Sequence, residues 1–516
     1  MSSSENQTCQ LARMLNTPIH RLPTEVVLDI FTLYVKDRHE HIRVRRHVET
    51  VKKTDEAAPF TLSAVCGRWR LIAFASLKLW DRPIVYIQSN KQVQLQDKLL
   101  TRWIKRSGDL PVDVSILFSW SKEITWNSHD SFGVVLKTAS RLEKLNLLVP
   151  PRLTSHLLKG LDGAPRLQGL RFLVPDRDYQ QAIDDLASPT SVPQLPAVKD
   201  LTIKSVIDWN SSPLDFPHLV ICRLEKSPAD CILEILRRAP RLQRLRVLVR
   251  RGRPLGPTAF IRHGQIEDLE IEGIMGPMNV ELLLSSLSLP SLQRLIFDSY
   301  GLAYSRHTKA LMSLIQRSRC ILRELGLALP SDQGAVQETI QIVKSLPSLK
   351  RLFLGSQLPG CDRFQWITDE CFSRISDELK TFCGRENSFL RSLDSLHVDV
   401  VISGELPFSW EGLVGFLKAF YAVILKSQES EDVGCGVSTK KSAAYCQFHI
   451  HLGLKAIPDV PQAPIPKSDL AAQLLDLQSR KGISLQIVDF ETGRDLVQEA
   501  LSTQTVHSGG LTSIEG

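Results

Sequence analysis

The sequence lacks any hydrophobic run long enough to cross a membrane. Its best apolar stretch, 413–425, is interrupted by Lys418 and falls well short of the ~20 residues that a spanning helix requires. The N-terminus, MSSSENQTCQ, also lacks the basic and then apolar residues of a signal peptide. We therefore expect a protein without a membrane partner that resides in the cytoplasm, the nucleus or both.

Closely paired cysteines are absent as well. The ten cysteines are scattered and none forms a C-x-x-C pair, which argues against a zinc ribbon or a redox dithiol and favours a reducing compartment. Cys435, Cys446, His449 and His451 could be imagined as metal ligands. However, the run Q-F-H-I-H alternates as a strand does, which predicts that the two histidines face solvent. We expect no metal and no other cofactor.

Recognisable catalytic motifs are missing too. The chain contains no G-x-S-x-G, H-E-x-x-H, Walker or G-x-G-x-x-G pattern, so we expect no enzymatic activity. A net charge of +7 is mild for 516 residues, and we expect no specific binding to nucleic acid. The chain exceeds the ~250–300 residues at which a single core stops growing, so we expect a small domain followed by an elongated one.

Two apolar segments near the start, 21–31 and 62–80, are each predicted to form a short helix. The first helix would carry one apolar stripe, formed by Val26, Val27, Ile30, Phe31 and Tyr34. The second would carry another, formed by Leu62, Val65, Cys66, Trp69 and Ala73. Pro23 and Pro59 suit the first position of a helix, where a missing N–H costs nothing. Two such helices cannot bury all of this surface alone, so a partner should cover the remainder.

The order of these motifs resembles an F-box over about the first eighty residues. The matching pieces are Leu22-Pro23-x-Glu25, Ile30-Phe31, Val65-Cys66-x-x-Trp69-Arg70 and Leu79-Trp80. An F-box implies a small helical module that docks on the Skp-type adaptor of cullin-RING ubiquitin ligases. By this resemblance, the residues that face the adaptor or support the docking helices would be Leu22, Pro23, Ile30, Phe31, Val65, Cys66 and Trp69.

One feature departs from the F-box pattern. Residues 35–58 form a charged insertion where many F-boxes have a shorter connection. The insertion could be a solvated loop that leaves docking intact, or it could tilt the helices and weaken docking. Its basic run, 43–53, could equally be part of that solvated insertion or a nuclear signal.

From residue 107 onward the chain repeats itself. A helix over 92–106 and a strand over 111–116 lead into ten copies of the pattern Leu-x-x-Leu-x-φ, where φ is apolar. The first positions are Leu142, Leu167, Val198, Leu219, Leu242, Ile266, Leu292, Leu322, Leu349 and Leu393. Most spacings lie between 21 and 31 residues, close to the ~20–29-residue period of leucine-rich repeats. The last two apolar positions should point inward from a strand, and the first should fill the bend before it.

One such unit cannot bury its own face, so the units should stack into a curved solenoid with parallel strands on the concave side and helices on the convex side. The predicted fold class is α/β: a small all-α F-box followed by irregular leucine-rich repeats, a combination that resembles fungal-type F-box families. The predicted segments are a disordered N-terminus (1–17), the F-box (18–88), a connecting helix (89–108), repeats (109–400), C-terminal repeats or a cap (401–501) and a disordered tail (502–516).

Binding residues are expected at outward positions of the repeat strands. The candidates for contact with a target protein are Lys204, Arg223, Arg244, Arg246, Asp268 and Glu270. An arginine-rich stretch, 237–253, could bind an acidic or phosphorylated segment. Alternatively, its arginines are solvated or paired with Glu267, Asp268 and Glu270.

Together these features predict the substrate-recognition subunit of an SCF-type cullin-RING ubiquitin ligase. The F-box would dock to the Skp-type adaptor, and through it to a cullin, while the repeats hold an unknown target protein. The alternative is a binding scaffold that uses the same fold without ligase assembly.

Overall fold

The computed structural model describes residues 21–44, 58–118, 132–149, 164–173, 195–204, 216–249, 260–273, 277–299, 304–327, 333–354, 369–382, 395–402, 409–419, 448–456, 468–479 and 483–489, with eight isolated positions besides. The chain divides into two compact units, Met1–Glu225 and Lys226–Gly516. The predicted disordered ends, 1–17 and 502–516, and most of the charged insertion lie outside the described residues.

The first unit begins with helices. Helix α1 spans Thr24–Val44, α2 spans Ala58–Val65, α3 spans Gly67–Ala75, and a 3-10 turn follows at Leu77–Trp80. Helix α4 spans Val93–Arg106, which confirms the helix predicted over 92–106. Helix α1 also continues through the first ten residues of the predicted insertion.

The single helix expected over 62–80 is wrong, because the chain breaks at Cys66. This residue is fully extended (φ −158°, ψ 171°), and its Sγ accepts a hydrogen bond from the Trp69 amide at 3.4 Å. The thiol thus caps the first turn of α3, in the manner of the polar side chains that satisfy free amides at helix starts. A second helix therefore starts at Gly67, with Cys66 alone separating it from the end of the first at Val65.

An aromatic cluster holds these helices together. The ring of Phe60 packs edge-on against Trp80 and Trp103, with centroids 4.9 and 5.4 Å away, and both indoles are fully buried. The Trp80 Nε1 donates to the Ala73 carbonyl at 2.7 Å. The guanidinium of Arg106 lies over the rings of Phe60, Phe74 and Trp80, 4.4–5.3 Å from their centroids. Because α4 supplies Trp103 and Arg106, it packs as part of the helical module.

Six parallel strands complete the first unit. They are β1 (Ile84–Ile87), β2 (Val112–Phe118), β3 (Leu142–Leu148), β4 (Gly169–Leu173), β5 (Asp200–Lys204) and β6 (Ile221–Ser227), with the short helix α5 (Gly133–Lys137) before β3. Neighbours in the sheet follow chain order. Strand β1 was not foreseen, because its four residues are all buried and show no alternation.

The second unit continues the same alternation of strands and helices. Its parallel sheet contains β7 (Arg244–Val249), β9 (Asp268–Gly273), β11 (Arg294–Ser299), β12 (Glu324–Leu327), β13 (Arg351–Leu354), β14 (Ser395–Ile402), β15 (Phe448–Ala456) and β16 (Ile483–Asp489) in that order. A separate two-residue pair joins β8 (Ile261–Arg262) to β10 (Leu287–Ser288). The α/β class is therefore confirmed.

Helices fill the connections of the second unit. They are α6 (Ala229–Arg238), α7 (Pro277–Ser285), α8 (Tyr304–Ser318), α9 (Gln333–Lys344), α10 (Asp369–Phe382), α11 (410–419) and α12 (Ser468–Ser479). Successive helices from α6 to α10 pack against one another. The segment predicted to form C-terminal repeats or a cap, 401–501, contains α11, β15, α12 and β16 among its described residues.

All ten Leu-x-x-Leu-x-φ copies coincide with a strand. The first strand starts on Leu142, and the other nine start two residues after the first position of their copy. The first positions are no more than 5% exposed in any copy, and the described inward positions of the strands are buried as well. The inward alternation and the buried residue in the bend are thus confirmed.

Hydrogen bonds outside the strands link each copy to the one before it. The amide of Gln293 donates to the Glu267 carbonyl at 2.9 Å, and the amide of Lys350 donates to the Arg323 carbonyl at 2.8 Å. In the two Leu-Pro-Ser-Leu phrases, the Ser291 hydroxyl donates to Gly264 O at 2.6 Å and the Ser348 hydroxyl to Leu322 O at 3.0 Å. These bonds pair polar groups at the bends, where a carbonyl would otherwise lack a hydrogen-bond donor from a neighbouring strand.

The junction between the helices and β1 holds a partly buried carboxyl group, that of Asp81. Burial raises the pKa of Asp81 to about 6, with a further contribution from the negative charge of Asp113, against the opposing charge of Arg82 at 3.8 Å. A folded-state pKa above the unfolded value near 3.8 means that this group favours folding below pH 4. That contribution is lost as the pH rises through 6.

We predict that Asp81→Asn stabilises the protein at pH 8 by about 1 kcal/mol and has little effect at pH 4. The gain should fall well below the ~1.4 kcal/mol per pKa unit expected for full burial, because solvent reaches the carboxyl group. Denaturant unfolding at both pH values measures the difference. Asp109→Asn, which removes the same charge at an exposed position, is the control. Equal effects at pH 4 and pH 8 would contradict the assignment.

The end of α8 contains a strained residue. Arg319 adopts φ 49°, and its amide donates to the Ile315 carbonyl at 3.1 Å. This left-handed conformation closes many helices, and glycine adopts it without the steric cost that a Cβ imposes.

Arg319→Gly should therefore raise the unfolding free energy by about 0.5–1 kcal/mol. Lys309→Gly, at an exposed position inside α8, should lower it by about the same amount, because glycine costs entropy in a helix interior. Thermal unfolding of both variants checks the pair. A loss of stability in Arg319→Gly would show that the left-handed backbone conformation of Arg319 does not lower the unfolding free energy.

Candidate protein-interaction surfaces

Helix α1 carries apolar residues on two adjoining sides. Val27, Phe31 and Val35 are buried in the core of the helical module. Val26, Ile30 and Leu33 follow at i, i+4 and i+7 and are 41, 42 and 66% exposed. The single stripe expected for this helix is thus divided into a core side and an exposed side. We call the second set of three residues the α1 flank.

The Leu22-Pro23 segment that enters α1 is held from two directions. The Val27 amide donates to the Pro23 carbonyl at 3.1 Å, which places Pro23 directly before the first turn. The Arg68 guanidinium of α3 donates to the Leu22 carbonyl at 2.5 Å. Pro23 is exposed, whereas Leu22 is half-buried against the core cluster.

The remaining residues predicted to bind an adaptor lie in different environments. Val65 is exposed at the end of α2, and Cys66 is the half-buried cap of α3. Trp69 is half-buried and packs edge-on against Phe31, with ring centroids 4.8 Å apart. Phe31 is fully buried, so its contribution is to support α1 rather than to contact a partner.

Exposed large hydrophobic side chains are concentrated in this helical module. Among the described residues, eight of the ten such side chains lie between positions 26 and 95. Besides the α1 flank and Val65, they are Leu71, Phe74, Leu77 and Leu95. Scattered single residues of this kind are ordinary, but a concentration in one small module marks an interaction surface.

The outward face of the strands in the second unit carries a ladder of alternating charges. Arg244, Asp268, Arg294, Glu324 and Arg351 are direct neighbours on five successive strands. Arg294 donates to Asp268 and to Glu324, both at 2.7 Å. Glu324 is also the acceptor for Arg351 Nε at 2.9 Å. Although burial works against the charge of Arg294, these hydrogen bonds raise its pKa above the usual value.

Most of the predicted target-binding residues are engaged in such pairs. Arg246 contacts Glu272 at 2.6 Å and Glu270 at 3.5 Å. Arg223 contacts Asp200 at 2.9 Å. Arg244 is exposed and forms no ion pair within the part of the chain that the structure describes. Lys204 ends β5, and its side chain lies outside the described residues.

The arginine-rich stretch 237–253 is therefore paired in part rather than free. Arg237 and Arg238 both bind Glu234 on α6 at 2.7 Å, and these hydrogen bonds outweigh burial and hold the Glu234 pKa below its usual range. Positions 250, 251 and 253 lie outside the described residues. Of the two interpretations of this stretch, pairing with neighbouring carboxylates holds for Arg246.

A less polar row lies beside the charge ladder. Ile296, Gly326, Phe353 and His397 are neighbours on β11 to β14. The Phe353 and His397 rings are stacked, with centroids 4.5 Å apart. Ile296 covers Gly326, where an added Cβ would clash with Ile296 Cδ1. The sequence did not predict this row, because the outward candidates were all charged residues. The signal for it was the residue at the fifth position of each copy.

The outward face of the first strands, β1 to β3, has a different composition. Ile84, Tyr86, Leu117 and Leu148 form a buried apolar cluster on β1 to β3. Polar contacts between outward side chains lie next to this cluster, where Lys144 Nζ is 3.8 Å from Asp113 Oδ2. Outward positions of these first strands are thus not uniformly available to a partner.

The described thiols and possible metal ligands were compared with what nucleophilic or metal chemistry requires. Cys222 is buried, and burial raises its thiol pKa above the usual value. No group of three or more His, Cys, Asp or Glu among the described residues is placed to hold a metal ion. His449 and His451 lie on β15, as the strand pattern predicted.

In comparisons with known proteins, no protein-family model and no curated protein matches this chain. Among the helices that are described, none is both long and apolar enough to cross a lipid bilayer.

We predict that Glu324→Gln lowers the unfolding free energy by about 1–2 kcal/mol, because one carboxylate holds two guanidinium groups and is itself buried. Glu267→Gln, at an exposed position without an ion pair among the described residues, serves as the control and should change stability by less than about 0.5 kcal/mol. Denaturant unfolding of both variants distinguishes them. Equal effects would show that the ladder does not stabilise the sheet.

Proposed function

We propose that this chain is a non-catalytic substrate receptor of an SCF-type cullin-RING ubiquitin ligase. In this proposal residues 21–80 form an F-box that docks to a Skp-type adaptor and through it to a cullin. The strands and helices that follow form a leucine-rich-repeat solenoid that holds a target protein. The protein would supply proximity rather than bond chemistry, because tethering raises the effective concentration of the target near the conjugating enzyme.

The α1 flank is the observation that carries the proposal. Its three side chains are large, aliphatic and roughly half exposed, on a helix whose adjoining side is packed in the core of the module. Burying such side chains in a partner stabilises a complex by up to ~1.5–3 kcal/mol each. A helix that is already folded and presents an apolar flank needs little rearrangement to dock.

The placement of the Leu22-Pro23 segment supports the same proposal. Arg68 and the first turn of α1 fix this segment on the surface, with Pro23 exposed. Three of the seven residues assigned by resemblance to an F-box, namely Pro23, Ile30 and Val65, are accessible to a partner. The other four pack beneath or beside them and would support the docking side.

Target binding is assigned to the outward face of the strands. The ion pairs of Arg223, Arg246 and Arg294 neutralise much of this face, so an acidic target would have to displace Asp200, Glu270 or Glu272. The row of Ile296, Phe353 and His397 offers contacts that need no such displacement. We therefore favour a target that combines apolar and polar contacts over one that is recognised through phosphate alone.

The alternative is a scaffold that binds the adaptor without entering a ligase. One observation favours it. Helix α1 continues to Val44, beyond the length that the F-box resemblance requires, and in this alternative its last turns obstruct the approach of a cullin.

Replacing the α1 flank by serine (Val26→Ser, Ile30→Ser, Leu33→Ser) should weaken binding to a Skp-type adaptor by more than a hundredfold while the protein stays folded. The expected loss corresponds to about 3 kcal/mol or more from three apolar contacts. Leu22→Ala with Pro23→Ala should likewise abolish binding and leave the repeats folded. Isothermal titration of purified protein with adaptor measures both.

The matched control is Thr32→Ala, at an exposed polar position of α1 that is not three or four residues from any member of the α1 flank. This control should bind within about threefold of the unmodified protein, as substitutions away from the contact usually do. Unchanged adaptor binding in the serine variant would refute the F-box assignment. Circular dichroism and thermal unfolding confirm that each variant is folded.

A further inference from the structure

Helix α4 presents a stripe of cations to solvent. Lys98, Arg102 and Lys105 follow at i, i+4 and i+7 and are exposed, and Leu95 precedes them by one turn on the same side. The core side of the helix is formed by other residues, Leu100, Trp103 and Ile104 among them. The stripe is thus directed away from the module that α4 stabilises.

Within the described residues, no carboxylate forms an ion pair with this stripe. The acidic residue of α4, Asp97, is half-buried, and its Oδ1 accepts a hydrogen bond from the Phe132 amide at 2.8 Å. Lys98, Arg102 and Lys105 form no ion pair within the described residues. This contrasts with Arg223, Arg246, Arg294 and Arg351 on the strands, each of which contacts a carboxylate. An exposed helix face normally mixes charges of both signs.

The surrounding sequence strengthens the positive field. Residues 58–106 contain nine Lys and Arg but only two Asp and no Glu, so this segment carries a net charge of +7, equal to that of the whole chain. The rest of the chain therefore has no net charge. The positive charge is concentrated on one module instead of being spread over the protein.

Apolar side chains border the stripe. The Arg106 guanidinium lies over the Phe74 ring, 4.4 Å from the ring centroid. The Leu77 side chain lies close to Gly108, because a Cβ added to that glycine would be 3.1 Å from Leu77 Cδ1. Phe74 and Leu77 are both exposed, and both sit at the C-terminal end of α4. Together, Phe74, Leu77, Leu95, Lys98, Arg102 and Lys105 define the α3–α4 surface.

We propose that the α3–α4 surface binds an acidic, amphipathic helix of a partner protein. Aspartate or glutamate residues spaced three and four apart would match Lys98, Arg102 and Lys105, and aliphatic residues beside them would cover Leu77 and Leu95. A nucleic acid would use the cations but not the exposed leucines. The proposal does not depend on adaptor docking, since it uses none of the α1 flank.

The probe is a synthetic 18-residue peptide. It carries Glu at alternating three- and four-residue intervals and Leu at the adjacent positions. Its scrambled isomer, single-stranded DNA and vesicles of phosphatidylserine with phosphatidylcholine are the competing ligands. The test variant of the full-length chain is K98E/R102E/K105E. The matched control is R166E/K199E/R323E, which changes the net charge equally at exposed positions outside α4. Fluorescence anisotropy at two salt concentrations gives the affinities.

The full-length protein should bind the designed peptide more tightly than its scrambled isomer, and the α4 variant should bind it at least about tenfold more weakly. The control variant and the Leu22/Pro23 double-alanine variant should retain binding, which separates this surface from adaptor docking. Equal binding of the scrambled peptide, tighter binding of DNA or vesicles, or an equal loss in the control variant would each overturn the proposal.

Discussion

Backbone hydrogen bonding between successive parallel strands is the interaction on which each unit of this protein depends. A single Leu-x-x-Leu-x-φ segment exposes its apolar side and its unpaired amides unless a neighbour lies alongside. The hydrogen bond from the Gln293 amide to the Glu267 carbonyl, and the equivalent bonds between other copies, align each strand with the one before it. Burial of the first apolar residue in every copy then follows from the bend that these bonds fix.

The helical module at the start of the chain is packed but not covered. Phe60, Trp80 and Trp103 form a dense aromatic centre, yet the α1 flank and several residues of α3 remain in water. Ion pairs on the strands neutralise charge locally, whereas the cations of α4 are left without carboxylates in the described part of the chain. Apolar and positive surface is thus concentrated in one small module, which is the part best suited to bind other proteins.

The sequence predicted the strands far better than the side chains around them. A period of two with leucine at fixed positions specifies a buried strand wherever it occurs, so all ten copies were located correctly. Cys66 ended a helix that looked continuous, because a capping bond to Trp69 is invisible in a hydrophobic pattern. Likewise, the pattern could not say that Phe31 lies inward and Ile30 outward, or that Arg246 is neutralised by Glu272. Both outcomes depend on neighbours that only the fold brings near.

Reconstitution with a Skp-type adaptor and its cullin tests the proposed function most directly. Size-exclusion chromatography with light scattering should give one species whose mass equals one copy each of the chain, the adaptor and the cullin. Elution of the chain alone, with adaptor and cullin together in a separate peak, would contradict the receptor function.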